Sequence, residues 1–333
     1  MALRSIISDP MLRMLALAIA LAALLPATGT ARGVVQVAAN IGIFALFLLN
    51  GMRIRRSEIA AGAANLRFLL PLIFWVFGAM ALVGLELSRL APADVPPIVA
   101  AGFLYLGVLP TTIQSSTSYS SLARGNVALS IISAALLSLI GVFLSVPLFL
   151  ALGGAGEGVV GSDAVLKIIE MLIVPFAIGQ LVQNRIQSFI ALHKPRIVTL
   201  DRMVIALAVY VAFSGAVEQD VWTRIDSTGW LWTGILVLVF LVVGHGGAWL
   251  ASSALRLEPP DRIAFLFAGG QKSVAIGAPL ATVLFAPEVA GFIVLPLLLY
   301  HFFQLVLAAP MASYLAGSVH HHASGYDGRT TEN

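Results

Sequence analysis

The sequence contains no cysteine and very little charge. Without cysteine, disulfides, zinc-thiolate sites, iron–sulfur clusters and thiol nucleophiles are excluded. Charged residues make up 11% of the 333 positions, against ~25% in a soluble domain. So few charges cannot cover a water-soluble protein of this size. The apolar stretches also lack paired carboxylates, and with them the Mg²⁺-diphosphate chemistry of lipid- or prenyl-transforming membrane enzymes. The chain is therefore read as no enzyme. Its basic residues lie in short loops, so nucleic acid is not an expected partner.

Apolar surface is what the sequence has: 59% of residues are hydrophobic and a further 30 are glycine. Mean hydropathy is +0.97. Long unbroken apolar runs exclude a transmembrane β-barrel, whose strands alternate in polarity. At ~20 residues per helical crossing, ten segments can be marked, near 11–27, 33–51, 66–88, 96–122, 126–152, 164–186, 199–217, 229–253, 262–285 and 289–316. The expected fold is an all-α membrane protein with ten transmembrane helices. The first segment ends in Pro26-Ala27-Thr28-Gly29-Thr30-Ala31, which also suits signal-peptide cleavage. The second follows so closely that a retained helix is expected.

Cytoplasmic loops carry the excess of lysine and arginine. With a cytoplasmic N-terminus, Arg32, Arg89, Lys167 and Arg224 lie outside and Lys272 falls within a span; the rest of the 19 basic residues lie inside. This predicts a multi-pass protein of the cell (inner) membrane with both termini cytoplasmic. The link Gly153-Gly154-Ala155-Gly156-Glu157-Gly158 divides the segments five and five. An odd number of crossings per half makes residues 1–155 and 156–317 an expected inverted repeat. Residues 318–333, with His320, His321 and His322, read as a polar cytoplasmic tail.

The fourth segment of each half is unusually polar. In the first half it reads Pro110-Thr111-Thr112-Ile113-Gln114-Ser115-Ser116-Thr117-Ser118-Tyr119-Ser120-Ser121. Pro110 interrupts the helix, and the freed carbonyls must be buried in protein or face a wet cavity. Hydroxyls beside such carbonyls suit an alkali cation or a polar substrate. In the second half the run is Ala268-Gly269-Gly270-Gln271-Lys272-Ser273-Val274-Ala275-Ile276-Gly277-Ala278-Pro279. Its glycines weaken the helix, and Lys272 lies too deep to reach either interface. A lysine there costs ~2.5–3.5 kcal/mol on insertion scales. Two readings follow, a substrate or coupling role and a pin satisfied by carbonyls. Two broken polar helices at matching places point to a transport site. His301 and Gln304 share a helical face in the tenth segment, and His245 sits between Gly244 and Gly246.

The run Leu109-Pro110-Thr111-Thr112-Ile113-Gln114-Ser115-Ser116, with Leu122-Ala123-Arg124-Gly125-Asn126-Val127-Ala128-Leu129-Ser130, resembles the bile acid:sodium symporter family. Gly270-Gln271-Lys272-Ser273 and Gly277-Ala278-Pro279-Leu280 resemble the second signature of its bacterial SBF-like branch. Val174-Pro175-Phe176 with Gly179-Gln180, and Tyr300-His301 with Gln304, also fit. The resemblance implies ten helices in two inverted repeats, panel and core domains, and interrupted fourth and ninth helices that cross. It implies a cation site on Ser115, Ser116 or Thr117, on Ser130 and on Gln271. The chain departs from the sodium-coupled pattern at Phe267, which replaces a carboxylate, at Lys272 and at Ala134.

The expected function is secondary transport of a small organic anion across the lipid bilayer, bound where the fourth and ninth helices cross. The candidate substrate or ion ligands are Gln114, Ser115, Ser116, Thr117, Ser130, Gln271, Lys272, Ser273 and His301. No cofactor is expected beyond Na⁺ or H⁺ as a coupling ion; a Na⁺ site would use Ser116, Thr117, Ser130 and Gln271. Phe267 and Lys272 make sodium independence the expectation. The alternatives are a sodium-coupled symporter with a rebuilt cation site and a non-transporting membrane receptor or regulatory protein.

Overall fold

The computed structural model describes residues 9–57, 65–154 and 164–324. Residues 155–158 of the glycine-rich link and residues 325–333 of the expected tail lie outside the described residues. The described chain is all-helical and contains no β-strand. Its helices are α1 (Pro10–Leu24), α2 (Gly29–Arg53), α3 (Leu66–Arg89), α4 (Pro97–Val108), α5 (Ile113–Leu122) and α6 (Val127–Ala151). These are followed by α7 (Leu166–Leu192), α8 (Lys194–Glu218), α9 (Ser227–Ala254), α10 (Pro259–Gly270), α11 (Val274–Leu284) and α12 (Pro287–Ser324). A one-turn helix, Val221–Arg224, precedes α9.

Among the described residues, eight spans are long and apolar enough to cross a membrane, with α10 and α11 together making one of them. The pair α4–α5, bent by 62°, makes a ninth. Helix α1 has 15 residues, fewer than a full crossing needs. The last helix runs on to Ser324 rather than ending near 317, because Met311–Ser324 holds one glycine and no proline to stop it. Side-chain caps define several starts. Asp9, Asn65, Asn126 and Asp226 each accept from the backbone N–H three residues on.

Helices α1, α2, α7 and α8 pack as one group, with α2 on α7 and α8 on both α1 and α2. A Cβ at Gly51 would lie 2.2 Å from the Phe176 carbonyl oxygen, so only glycine permits this approach of α2 to α7. Arg53 and Asp201 pair at 2.6 Å, and Arg32 pairs with Glu218, so ion pairs tie α2 to α8 near both ends. The remaining helices pack as α3 on α4, α5 on α6, α9 on α10 and α11 on α12. Helix α8 joins the two groups through α11 and α12. Leu17, Leu24, Val34, Ile41, Leu181 and Leu250 are exposed outward, as lipid-facing residues are.

Candidate functional site: two broken helices and their crossing

Leu109 is extended (φ −74°, ψ 147°), the conformation favoured before proline, and α4 ends there. Ending a helix frees carbonyls that need donors when buried. Each one from 107 to 111 has a donor. The carbonyls of Gly107 and Leu109 accept from Lys272 Nζ at 2.8 and 2.7 Å. Ser145 Oγ donates to Val108 at 2.8 Å, Ser273 N to Pro110 at 2.9 Å and Ser138 Oγ to Thr111 at 3.4 Å. The first break is thus closed by side chains of α6 and by the second break.

The second break is closed in the same way. Gln271 is extended (φ −84°, ψ 143°), and Ser273 caps α11 by accepting from Ile276 N at 3.2 Å. Tyr300 OH donates to the Gly270 carbonyl at 2.5 Å. The Lys272 carbonyl accepts from Thr112 Oγ1 at 2.8 Å and from Gln304 Nε2 at 3.1 Å. Lys272 N donates to Gln304 Oε1 at 2.9 Å. The side chain of Lys272 runs the other way and is fully buried. Its third N–H reaches the Val76 carbonyl at 3.1 Å. Val76 belongs to a π-helical turn of α3, Phe74–Ala79, which puts its carbonyl out of α-helical register.

The amide of Gln304 settles a tautomer. Its oxygen accepts from Lys272 N, so its nitrogen is the donor toward His301 Nδ1 at 2.8 Å. His301 Nδ1 must then accept, which leaves the ring neutral with its proton on Nε2. That Nε2–H is buried without a partner among the described residues, as are Gln271 Nε2 and the hydroxyls of Thr111, Thr117 and Ser120. Gln271 Oε1 is engaged, accepting from Ser115 Oγ at 2.9 Å.

The structure therefore brings Ser115, Gln271, Lys272, Ser273 and His301 into one network across the crossing. Ser116 of α5 and Ser130 of α6 form a separate pair, with their hydroxyls 3.3 Å apart. Thr117 is half-buried beside them, whereas Gln114 is exposed. His245 is apart from this network. It is buried with Nδ1 3.1 Å from the Leu241 carbonyl, and its ring lies against Gly270. Sequence reading missed the donors Tyr105, Ser138 and Ser145 and the Val76 carbonyl. Serines spaced by seven along α6 were a signal for two of them; a backbone carbonyl has none.

Of the oxygens suited to sodium, those of Ser116 and Ser130 lie side by side, Gln271 Oε1 accepts from Ser115, and position 267 holds a fully buried phenylalanine ring. Among the described residues, no group of three or more His, Asp or Glu side chains could hold a metal ion.

Apolar helices in tandem, two of them broken and cross-braced by polar side chains, define a multi-pass membrane protein built like a transporter. The family model of SBF-like CPA transporters matches residues 9–317, and the chain belongs to that family. It is 38% identical to the Pseudomonas aeruginosa protein PA2026, over 89% of each chain. It is 34% identical to the Escherichia coli protein named "Putative symporter YfeH", over 92% of each. It is 23% identical to the mouse protein named "Sodium/bile acid cotransporter 7", over 81% of this chain and 80% of that one. The chain is thus a bile acid:sodium symporter-like transporter, and a lipid bilayer and a small-molecule substrate come with that class.

Proposed function

We propose that the chain is a secondary transporter of a small organic anion, bound at the crossing of the two broken helices and moved without sodium. One observation carries this reading: among the described residues, the buried polar atoms left without a partner at the crossing include the N–H donors of Gln271 and His301. Buried donors cost ~1–3 kcal/mol each when unmatched, and an oxyanion supplies the acceptors. Helices α5 and α11 both begin at the crossing, so their positive dipole ends add to the same preference. Gln271, His301, Ser115, Thr117 and Ser130 line the anion site, Ser116 braces α5 on α6, and Lys272 contributes its charge from behind. Gln114 and Ser273 are a rim residue and a helix cap.

Ten crossings follow if α1 counts as a span, giving inverted repeats at 1–155 and 156–317 in the inner membrane with cytoplasmic termini. The packing pairs support this reading. A shift of five spans converts α2 on α7 into α8 on α1, α3 on α4 into α9 on α10, and α5 on α6 into α11 on α12.

A thermal-shift screen of the purified chain against organic anions, in sodium-free and sodium buffers, tests the proposal. The expected result is an anion that stabilises equally in both, by ~2.7 kcal/mol at a hundredfold excess over Kd. The same anion should then accumulate in proteoliposomes. Binding without accumulation would favour a receptor, and uptake that saturates with sodium would mean a rebuilt cation site.

A further inference from the structure

We infer that the Lys272 ammonium is the resident cation of a main-chain cage, and that the cage takes a free monovalent cation once the side chain is cut back. Three carbonyls form the cage: Val76 from the π-turn of α3, and Gly107 and Leu109 from the open end of α4. They lie 3.1, 2.8 and 2.7 Å from Nζ, so all three ammonium protons are matched. Among the described residues no acidic side chain pairs with Lys272. The negative end of the α4 dipole and the carbonyls themselves balance its charge.

The walls of the cage do not depend on the side chain that fills it. A Cβ at Gly107 would lie 2.7 Å from the Met80 carbonyl oxygen, so the α3–α4 approach is set by glycine packing. The main chain of Lys272 is clamped on both its N–H and its carbonyl by Gln304. Shortening residue 272 therefore removes the cation and leaves three converging carbonyls inside the protein. Carbonyl rings of this kind replace the hydration shell of a bare monovalent ion. An ammonium ion matches the geometry most closely, because it is the lysine head with the carbon stem replaced by a fourth N–H. Lys272 is a positioning residue on this account: it joins α3, α4 and the second break, and donates no hydrogen bond to the substrate. The inference does not depend on what is transported.

The test uses the full chain in detergent, with N-methylglucamine chloride as the only added salt. Lys272→Ala should unfold ~5–10 °C below the unmodified protein, as expected for unmatched buried groups. Replacing the salt with about 100 mM ammonium chloride should recover at least half of that loss, with a saturating concentration dependence. Lys272→Met, whose apolar stem fills the space, should stay low in both salts, and the unmodified protein should respond to neither. Equal unfolding of Lys272→Ala in the two salts, or equal ammonium stabilisation of the unmodified chain, would overturn the inference. If Lys272→Ala yields no folded protein in N-methylglucamine, purification in ammonium decides. Recovery there supports the cage. Failure in both salts refutes it, because the Gln304 clamp holds the backbone without the side chain.

Discussion

At the scale of single residues, the crossing holds groups that brace the breaks and groups that lack a partner among the described residues, and substitutions should sort the two. Gln304 serves the main chain at both its amide atoms and fixes the His301 tautomer. Gln304→Leu should leave Lys272 N–H unmatched and cost ~2–4 kcal/mol, read as a lower unfolding midpoint and loss of anion binding together. Gln271 has an amide nitrogen with no partner among the described residues, so Gln271→Leu should weaken anion binding by ~10–100-fold with little change in the midpoint. Equal damage to stability from both would place Gln271 among the structural groups. Tyr105→Phe is a purely structural control. It removes the donor at 2.6 Å from the buried Gly277 carbonyl and should cost ~1–3 kcal/mol without touching affinity. Lys272 shows where sequence reading stops. Its depth within a span was legible from spacing, and both a pin and a ligand were open. Its partners are three carbonyls, and which carbonyls converge on an amine depends on helix ends and a π-turn that no side chain announces.

At the scale of elements, much of the fold was legible because breaks and spans have strong chemical signals. Pro110 without an N–H, and Gly269-Gly270 before a polar pair, stop α4 and α10 within a residue or two of where the helices end. The apolar runs located the long helices for the same reason. The π-turn in α3 was not legible, since Phe74–Ala79 is an ordinary apolar run. Close helix approach was half legible: Gly179 stood in a recognised motif, but its opposite number Gly51 did not. A Cβ at Gly179 would lie 2.3 Å from the Leu48 carbonyl oxygen, and backbone cannot yield as a flexible side chain can. Gly51→Ala and Gly179→Ala should each cost ~1–3 kcal/mol as overpacking, visible as a fall in unfolding midpoint. Gly33→Ala, with nothing within 4 Å of its Cβ, should not. A tolerated Gly51→Ala would mean that α2 and α7 can separate freely.

At the scale of the whole molecule, the two helix groups touch asymmetrically. Helix α8 packs on α11 and α12, whereas the five-span counterpart of those contacts, α2 on α5 and α6, is not a main packing interface. Helix α11 is accordingly buried almost throughout, and α5 leaves Gln114, Ser118 and Ser121 exposed. On the proposed topology this is a closed outer side and an open cytoplasmic side. Arg32 stands at the outer closure, pairing with Glu218 of α8 and, at 3.1 Å, with Glu288 at the start of α12. The first pair lies within one helix group and the second spans both, so only the second must break for the outer side to open. Half-exposed ion pairs contribute ~0–1 kcal/mol, enough to change a minor open population by up to ~5-fold. The chain has no cysteine, so one introduced thiol is a unique reporter. Ala216 is fully buried, and a Cβ at Gly291 would lie 2.6 Å from its own Cβ, which places it in the α8–α12 contact. In an Ala216→Cys background, Glu288→Gln should raise the rate of labelling by an impermeant maleimide from outside by about two- to fivefold. Glu218→Gln should leave that rate unchanged, because it loosens a pair inside one group. Equal acceleration by both would mean that the closure depends on the net charge around Arg32 rather than on the bond between the groups.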